Sequence, residues 1–347
     1  MTETVSSALS PMARWMPERA RAWYEACAWP CGFNYLPATA VNSTEMWQAE
    51  TFDPATIERE LGWAREIGFN ACRVFIQYLV WDADGDAFLS RFDRFLDIAA
   101  RHGLSALPIL FDDCAFAGKE PHLGPQDPPA PGIHNSGWTA SPGRARVLNR
   151  SCRPRLREYV QNVIGRFAND DRVLAWDVYN EPGNGGMGDK SLPLLHTAFA
   201  WAREIGPSQP LTAGVWNTHA DFAAMNEALL ALSDVTSYHD YDAREKSEKR
   251  LAELQKLGRP LLCTEWMRRG FGSHFDSHLP LFRRERAACW FWGLVNGRTQ
   301  THYPWGSLPG APAPERWFHD LLASDGTPHD ETEIALIRQE LQEAHAQ

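Results

Sequence analysis

No run of apolar residues in this chain approaches the roughly 18 that a membrane-crossing helix requires; the longest, such as Ala287 to Val295, are strand-sized. The N-terminus has no basic segment leading into an apolar core, so no secretory leader is expected and the cytoplasm is the expected location. Cysteine is sparse: seven residues, an odd number and widely spread, suit a reducing compartment better than a disulfide framework. Positive charge is also short. The 34 basic residues against 44 acidic ones leave a net charge of −10, which argues against nucleic acid or an anionic membrane as the partner. Cys27-x-x-x-Cys31 has no second pair at metal-ligand spacing, so zinc is not expected. No glycine-rich phosphate loop follows the first strand candidate, which argues against an open dinucleotide-binding sheet. That same segment, Gly32-Phe-Asn-Tyr-Leu36, carries no His-x-His of the kind a metal-dependent barrel hydrolase would want.

What is present is an ordinary globular mix, 44% hydrophobic and 22% charged, in 347 residues, enough for two domains or one barrel. Fifteen tryptophans are many for this length and leave a surplus for flat, apolar sugar faces. Residues 1–30 read as a polar lead-in with one amphipathic helix near Glu18–Cys27. From residue 31 to 347 a beat repeats: a short β-rich run, a turn, then a helix of 3.6 period. The predicted strands are Gly32–Leu36, Ala71–Gln77, Ser105–Phe111, Leu174–Tyr179, Leu211–Val215, Val235–His239, Leu261–Thr264 and Ala288–Leu294. Helices are signalled at their ends. Asp53 is an N-cap before Pro54, the face Ile57, Leu61, Ala64 and Ile67 follows, and Gly68 is the stop. Others run through Leu89–Ala99, from near Pro154, and over Leu194–Ile205. Eight strands alternating with helices predict an α/β fold, a single-domain (β/α)8 TIM barrel. Two Pro/Gly-rich stretches, about Cys114–Asn149 and Gln300–Glu315, become long loops after strands 3 and 8. Both belong on the barrel's C-terminal face.

Catalytic groups of such a barrel come from the C-terminal ends of different strands. Strand 4 ends in Asn180-Glu181-Pro182 and strand 7 in Glu265-Trp266, so two glutamates leave apolar strands on nearly opposite sides of one cavity. A carboxyl pair of that kind is what glycoside hydrolysis uses, one protonating the leaving oxygen and one attacking. Taken singly, either glutamate reads as a loop residue. At two strand ends of one barrel, the pair does not.

These two elements resemble the retaining β-glycosidases of clan A of the glycoside hydrolases, and most closely the cellulase-like enzymes of family 5. Three further elements share the likeness: Arg73 after Gly68-Phe-Asn70, His239-Asp-Tyr241 on strand 6, and Trp292 in Trp290-Phe-Trp-Gly293 on strand 8. The resemblance implies Glu181 as acid/base and Glu265 as nucleophile. It further implies that Arg73 and Tyr241 support Glu265, that Asn180 binds the sugar 2-hydroxyl, and that Trp292 floors the sugar subsite. Two departures concern substrate: strand 3 ends Phe111-Asp112-Asp113 where the family often has His, and Gly183–Gly188 is glycine-rich. Asp112 and Asp113 offer oxygens for sugar hydroxyls or for a cation, of which sugar hydroxyls are the preferred reading, and Trp305 is read as a stacking residue. His122, His134, Trp138 and Gln300-Thr-His302 are weaker candidates for subsite walls and polar contacts.

The expected activity is retaining hydrolysis of β-linked oligosaccharides or small β-glycosides, with no cofactor and no metal. The expected partner is a small carbohydrate, with neither nucleic acid nor membrane, and oligomeric state is left open. An endo-acting cellulase- or xylanase-like enzyme is the alternative within the class, and a non-catalytic glycan-binding barrel lies outside it.

Overall fold

A computed structural model describes residues 13–116 and 118–345. All eight strands form: β1 Cys31–Tyr35, β2 Ala71–Phe75, β3 Ser105–Asp112, β4 Trp176–Asn180, β5 Leu211–Thr212, β6 Thr236–Asp240, β7 Leu261–Trp266 and β8 Ala288–Trp292. All are parallel, in the order β5-β4-β3-β2-β1-β8-β7-β6. The ring closes between the two ends of that order through Val215, whose N–H donates to Ser237 O at 3.0 Å and whose O accepts from His239 N at 3.0 Å. This is a (β/α)8 barrel. Strand β5 is shorter than its apolar run suggests, because side chains replace part of its ladder to β6. Thr212 Oγ1 donates to Val235 O at 3.1 Å, and Ala213 N to Ser233 Oγ at 3.1 Å. Gly32 of β1 meets a spatial demand, since a Cβ there would lie 1.8 Å from Ala71 O.

The helix signals act as read. Asp53 Oδ1 accepts from Thr56 N at 3.0 Å, Pro54 opens the helix Pro54–Ile67, and Gly68 ends it at a φ of 113°. The lead-in helix, Pro17–Glu25, lies against the N-terminal end of the barrel. There Trp15, Ala20 and Tyr24 pack with inward residues of the strands, including Ala71, Leu107, Leu262 and Trp290. The first twelve residues of the lead-in lie outside the described residues. The irregular chain after β8 is longer than its proline content indicates and runs to the helix Glu331–His345. Among the described residues, no helix is long and apolar enough to cross a membrane.

The two long loops interlock at the C-terminal face. Gln300 Nε2 donates to Ala130 O at 2.8 Å, Gly132 N to Gln300 Oε1 at 3.1 Å and Gly310 N to Pro131 O at 2.8 Å. The loop after β1 lies with them: Asn42 Nδ2 donates to Gly137 O at 2.9 Å, and Arg298 N to Ala38 O at 3.0 Å. A continuous wall thus stands over the β8, β1 and β2 side of the mouth.

Candidate active site

The barrel centre holds a buried charge cluster organised by Arg73, which is 0% exposed. Its Nη1 donates to Glu265 Oε1 at 2.8 Å and to Asn34 Oδ1 at 2.7 Å. Its Nε and Nη2 donate to Asp177 Oδ2 at 3.0 and 2.8 Å, and Nη2 also reaches Asn180 Oδ1 at 2.6 Å. Burial works against the charged guanidinium, but the two carboxylates outweigh it and hold the pKa above its ordinary value. Removing one partner from such a buried network typically costs about 3–5 kcal/mol.

Glu265 accepts a second bond, 2.8 Å from Tyr241 Oη. Strict alternation along β7 would aim Glu265 away from the axis, because Leu262 and Thr264 already face inward. The register of β7 against β8 shifts between Cys263 and Trp266, and this irregularity turns Glu265 inward. Glu181 is aimed by the backbone too. It has a φ of 43°, left-handed and directly before Pro182, a conformation that only a constraining surround retains.

Glu181 Oε1 lies 3.0 Å from His239 Nδ1, which is also 3.5 Å from Glu265 Oε2, while Asn184 Nδ2 donates to Glu181 Oε2. One carboxylate oxygen from each glutamate and a ring nitrogen of His239 all lie within 4.8 Å of one another. The carboxyl spacing is therefore short, on the side of the roughly 5–5.5 Å of retaining hydrolysis rather than the 6.5–9.5 Å of inverting hydrolysis. Burial raises the Glu181 pKa to about 7, against the lowering effects of the Asn184 hydrogen bond and the Arg73 charge. Burial lowers the His239 pKa to about 4, so the ring is neutral at pH 7. Nδ1 of a neutral ring can donate to ionised Glu181 or accept from its protonated form.

Two carboxylates and an imidazole also make a conceivable cation site. Three of the four carboxylate oxygens already accept a hydrogen bond, from Arg73 on Glu265 Oε1, Tyr241 on Glu265 Oε2 and Asn184 on Glu181 Oε2. A cation here would displace donors while lying beside a buried guanidinium. Hydrolytic activity is therefore expected to survive prolonged dialysis against a chelator. Loss of activity restored by a single divalent ion would show that Glu181, His239 and Glu265 are ligands instead.

The cavity above the cluster has a volume of about 570 Å³. Glu181, Glu265, Asn180, His239, Tyr241, Trp292 and Trp305 all border it, with Trp305 39% exposed at the mouth. Arg73 lies beneath. Asp112 and Asp113 are placed differently from the hydroxyl-binding position read for them. Asp112 accepts from Trp138 Nε1, Asn180 Nδ2 and Cys114 N, each at 2.8 Å. Asp113 accepts from Tyr179 Oη and Gly183 N, each at 2.7 Å, and from Ser191 Oγ. Both oxygens of each carboxyl group thus face protein donors, and neither residue borders the cavity. Burial raises the Asp112 pKa to about 8.

Three important residues are not in the sequence-based set. Asn34 and Asp177 are inward-facing polar residues within apolar strands, and that position is their sequence signal. Trp216, whose Nε1 donates to Pro182 O at 3.1 Å, borders the cavity on the Glu181 side and gives no local signal. Of the weaker candidates, Trp138 borders the cavity, whereas Gln300 bonds to loop backbone and His122 is exposed.

Comparison with known proteins follows the same line. The family model Cellulase (glycosyl hydrolase family 5) matches residues 39–289. No curated protein matches the chain in sequence. Among solved structures, the chain is similar to the exo-β-1,4-mannosidase of Opitutaceae bacterium strain TAV5, at 16% identity and a TM-score of 0.62. That match covers 91% of this chain but only 60% of the Opitutaceae enzyme. The family 5 mannosidase of Rhizomucor miehei matches at 14% identity and a TM-score of 0.58, covering 91% of this chain and 92% of that one. The endo-β-1,4-mannanase of Thermotoga petrophila matches at 11% identity and a TM-score of 0.60, covering 92% and 78%. Identities this low speak for the fold alone.

Proposed function

We infer that this chain, which belongs to glycosyl hydrolase family 5 and is a retaining glycoside hydrolase, removes single β-linked sugars from the non-reducing end of short oligosaccharides or small glycosides. Glu181 is the acid/base and Glu265 the nucleophile. The observation that carries this reading is the short spacing of Glu181 and Glu265 beneath a cavity walled on one side.

Each role follows from its surroundings. A negative charge on Glu265 is paired with Arg73 and hydrogen-bonded by Tyr241, which orients the oxygen that attacks the anomeric carbon. Glu181, with a pKa near 7, holds a proton for the departing oxygen at neutral pH. Once the glycosyl-enzyme forms, Glu265 carries no charge, and Glu181 can take the proton from the attacking water. Asn180 is held on both sides, by Arg73 and Asp112, at the position suited to the sugar 2-hydroxyl.

The proton donor marks the leaving-group side, which here is the side of β4 with Asn184 and Trp216. The sugar being cleaved then lies on the opposite side, where the loops after β1, β3 and β8 form the wall. An endo-acting enzyme needs that side open for further sugar units, so the wall favours exo action. The structural neighbours named above are mannosidases and a mannanase, which supports β-mannose as the sugar.

A panel of nitrophenyl β-mannoside, β-glucoside, β-galactoside, β-xyloside and β-cellobioside, with short manno-oligosaccharides, tests the reading. The β-mannoside is expected to be cleaved fastest, mannose to leave from the non-reducing end, and the first product seen by NMR to be the β anomer. An α first product, or cleavage of oligosaccharides only at internal bonds, would overturn it.

The pH profile adds a separate check. A raised pKa keeps Glu181 protonated below about 7, so kcat/KM should fall as pH rises through that value. The limb should be marked for sugar leaving groups, which need the proton, and absent for activated aryl glycosides, which do not. A limb of equal depth on both kinds of substrate would assign it to another group.

A further inference from the structure

The part of the cavity that receives the leaving group is poor in hydrogen-bonding side chains. Asn180, His239, Tyr241 and Glu265 bring such groups to the reacting centre. Beyond Glu181 the described residues on the border are Cys114, Ala115, Phe116, Asn184, Gly185 and Trp216, and most of what they present is carbon. Of these, only Asn184 carries an amide or hydroxyl, and its Nδ2 already donates to Glu181. Trp216 Nε1 is engaged as well, with Pro182 O at 3.1 Å. Burial, and after it the charge of Glu181, holds the Cys114 thiol well above its ordinary range. It stays neutral and acts as a small apolar group.

This apolar surface is held in place. The Trp216 ring, fixed at Nε1, meets Phe222 edge-on, with centroids 5.0 Å apart at 78°. Gly183 makes room for that packing, since a Cβ there would lie 3.0 Å from the Phe222 ring. The glycine-rich turn after Glu181 thus brings a supported indole to the leaving-group position. At the start of the loop after β3, Cys114 and Ala115 are partly exposed and Phe116 is 45% exposed. The Phe116 ring is backed by His134 of the wall, with centroids 5.2 Å apart. A departing sugar would bring several hydroxyls against carbon and meet one side-chain amide oxygen, that of Asn184. Hydroxyls taken from water without partners are unfavourable. A flat apolar group would instead release water from its own surface and from these rings.

We propose that the leaving group this enzyme favours is an aryl or arylalkyl alcohol seated on Trp216 and Phe116, with a second sugar the poorer one. This rests on Glu181 as the proton donor, the assignment that makes this the leaving-group side. Of the two kinds of substrate in the proposed function, it selects the small β-glycoside with an apolar aglycone over the oligosaccharide.

The test uses three substrates of the sugar cleaved best in the panel above: its 2-phenylethyl glycoside, its methyl glycoside and its β-1,4-linked disaccharide. Phenylethanol and methanol are both poorer leaving groups than a sugar hydroxyl, so the chemical step alone favours the disaccharide. Contacts to a remote apolar group reverse that order only where they act in the transition state. The 2-phenylethyl glycoside is expected to exceed both others in kcat/KM by roughly tenfold or more. In Trp216→Ala its advantage over the methyl glycoside should shrink to within about threefold, and in Phe116→Ala it should shrink by a factor of about three. Phe116 is exposed, so its variant decides if Trp216→Ala fails to fold. A disaccharide cleaved as efficiently as the phenylethyl glycoside would overturn the proposal. So would an advantage unchanged in both variants at native thermal midpoints. Titration calorimetry with the uncleaved 1-thio forms of the phenylethyl and methyl β-mannosides reads the same preference without turnover. A native enzyme inactive on every glycoside would remove the exo-glycosidase reading, whereas a phenylethyl form bound no more tightly than the methyl form would remove this one.

Discussion

Glu265→Ala is expected to abolish turnover of every glycoside, natural or activated, by at least ~10⁴-fold, which is about 5.5 kcal/mol of barrier. The substitution removes the atom that bonds to carbon, and a better leaving group does not replace it. Arg73 would keep Asp177 as its remaining anion, and the space vacated beside Tyr241 would open to the cavity. Azide added to this variant should enter that space and attack the anomeric carbon directly, giving a glycosyl azide of inverted configuration. NMR of the product distinguishes the anomers. A retained azide from this variant would exchange the two glutamates' roles. A loss of less than about tenfold, around 1.4 kcal/mol, would remove Glu265 from the chemistry altogether. Because the change also leaves Arg73 with one fewer partner, thermal denaturation should accompany the kinetics, so that lost activity is not confused with lost fold.

Much of this site is legible in the sequence because it sits at strand ends. Glu181 and Glu265 each close an apolar run, and a barrel topology carries both to one mouth. What is not legible is the work of parts far apart in the chain. Asp177 interrupts an apolar strand, but its partner Arg73 lies on another strand, and only closure of the barrel brings them together. Glu265 faces inward because the register slips beside it, and nothing in Cys263-Thr-Glu265 announces the slip. Asp112 and Asp113 show the opposite difficulty. Their residue type fits sugar binding, yet Trp138, Asn180, Tyr179 and Gly183 take up their oxygens, and three of these four donors come from a different strand or loop. The fold itself is more transparent, since hydrophobic period and capping residues are local. Even so, β5 ends early because side chains of Thr212 and Ser233 replace backbone pairing.

Glu181→Ala should behave differently, and the difference is the stronger check on the assignment. Glu265 keeps its place between Arg73 and Tyr241 and can still attack, provided the leaving group departs without a proton. Dinitrophenyl glycosides should therefore form the glycosyl-enzyme at near-native rates, seen as a burst of phenolate. Unactivated sugar leaving groups should lose at least ~10³-fold, about 4 kcal/mol, since departure of an alkoxide then lacks its acid. After the burst, turnover should stall, because water no longer has a base to take its proton. Azide needs none. It should accelerate the second step and give a glycosyl azide of β configuration, opposite to that from Glu265→Ala. The alkaline limb attributed to the Glu181 carboxyl, with its pKa raised to about 7 by burial, should vanish in the same variant. An inverted azide here, or equal losses on activated and unactivated substrates, would show that Glu181 does not supply the proton. His239, 3.0 Å away and neutral at pH 7, would then be the next group to replace.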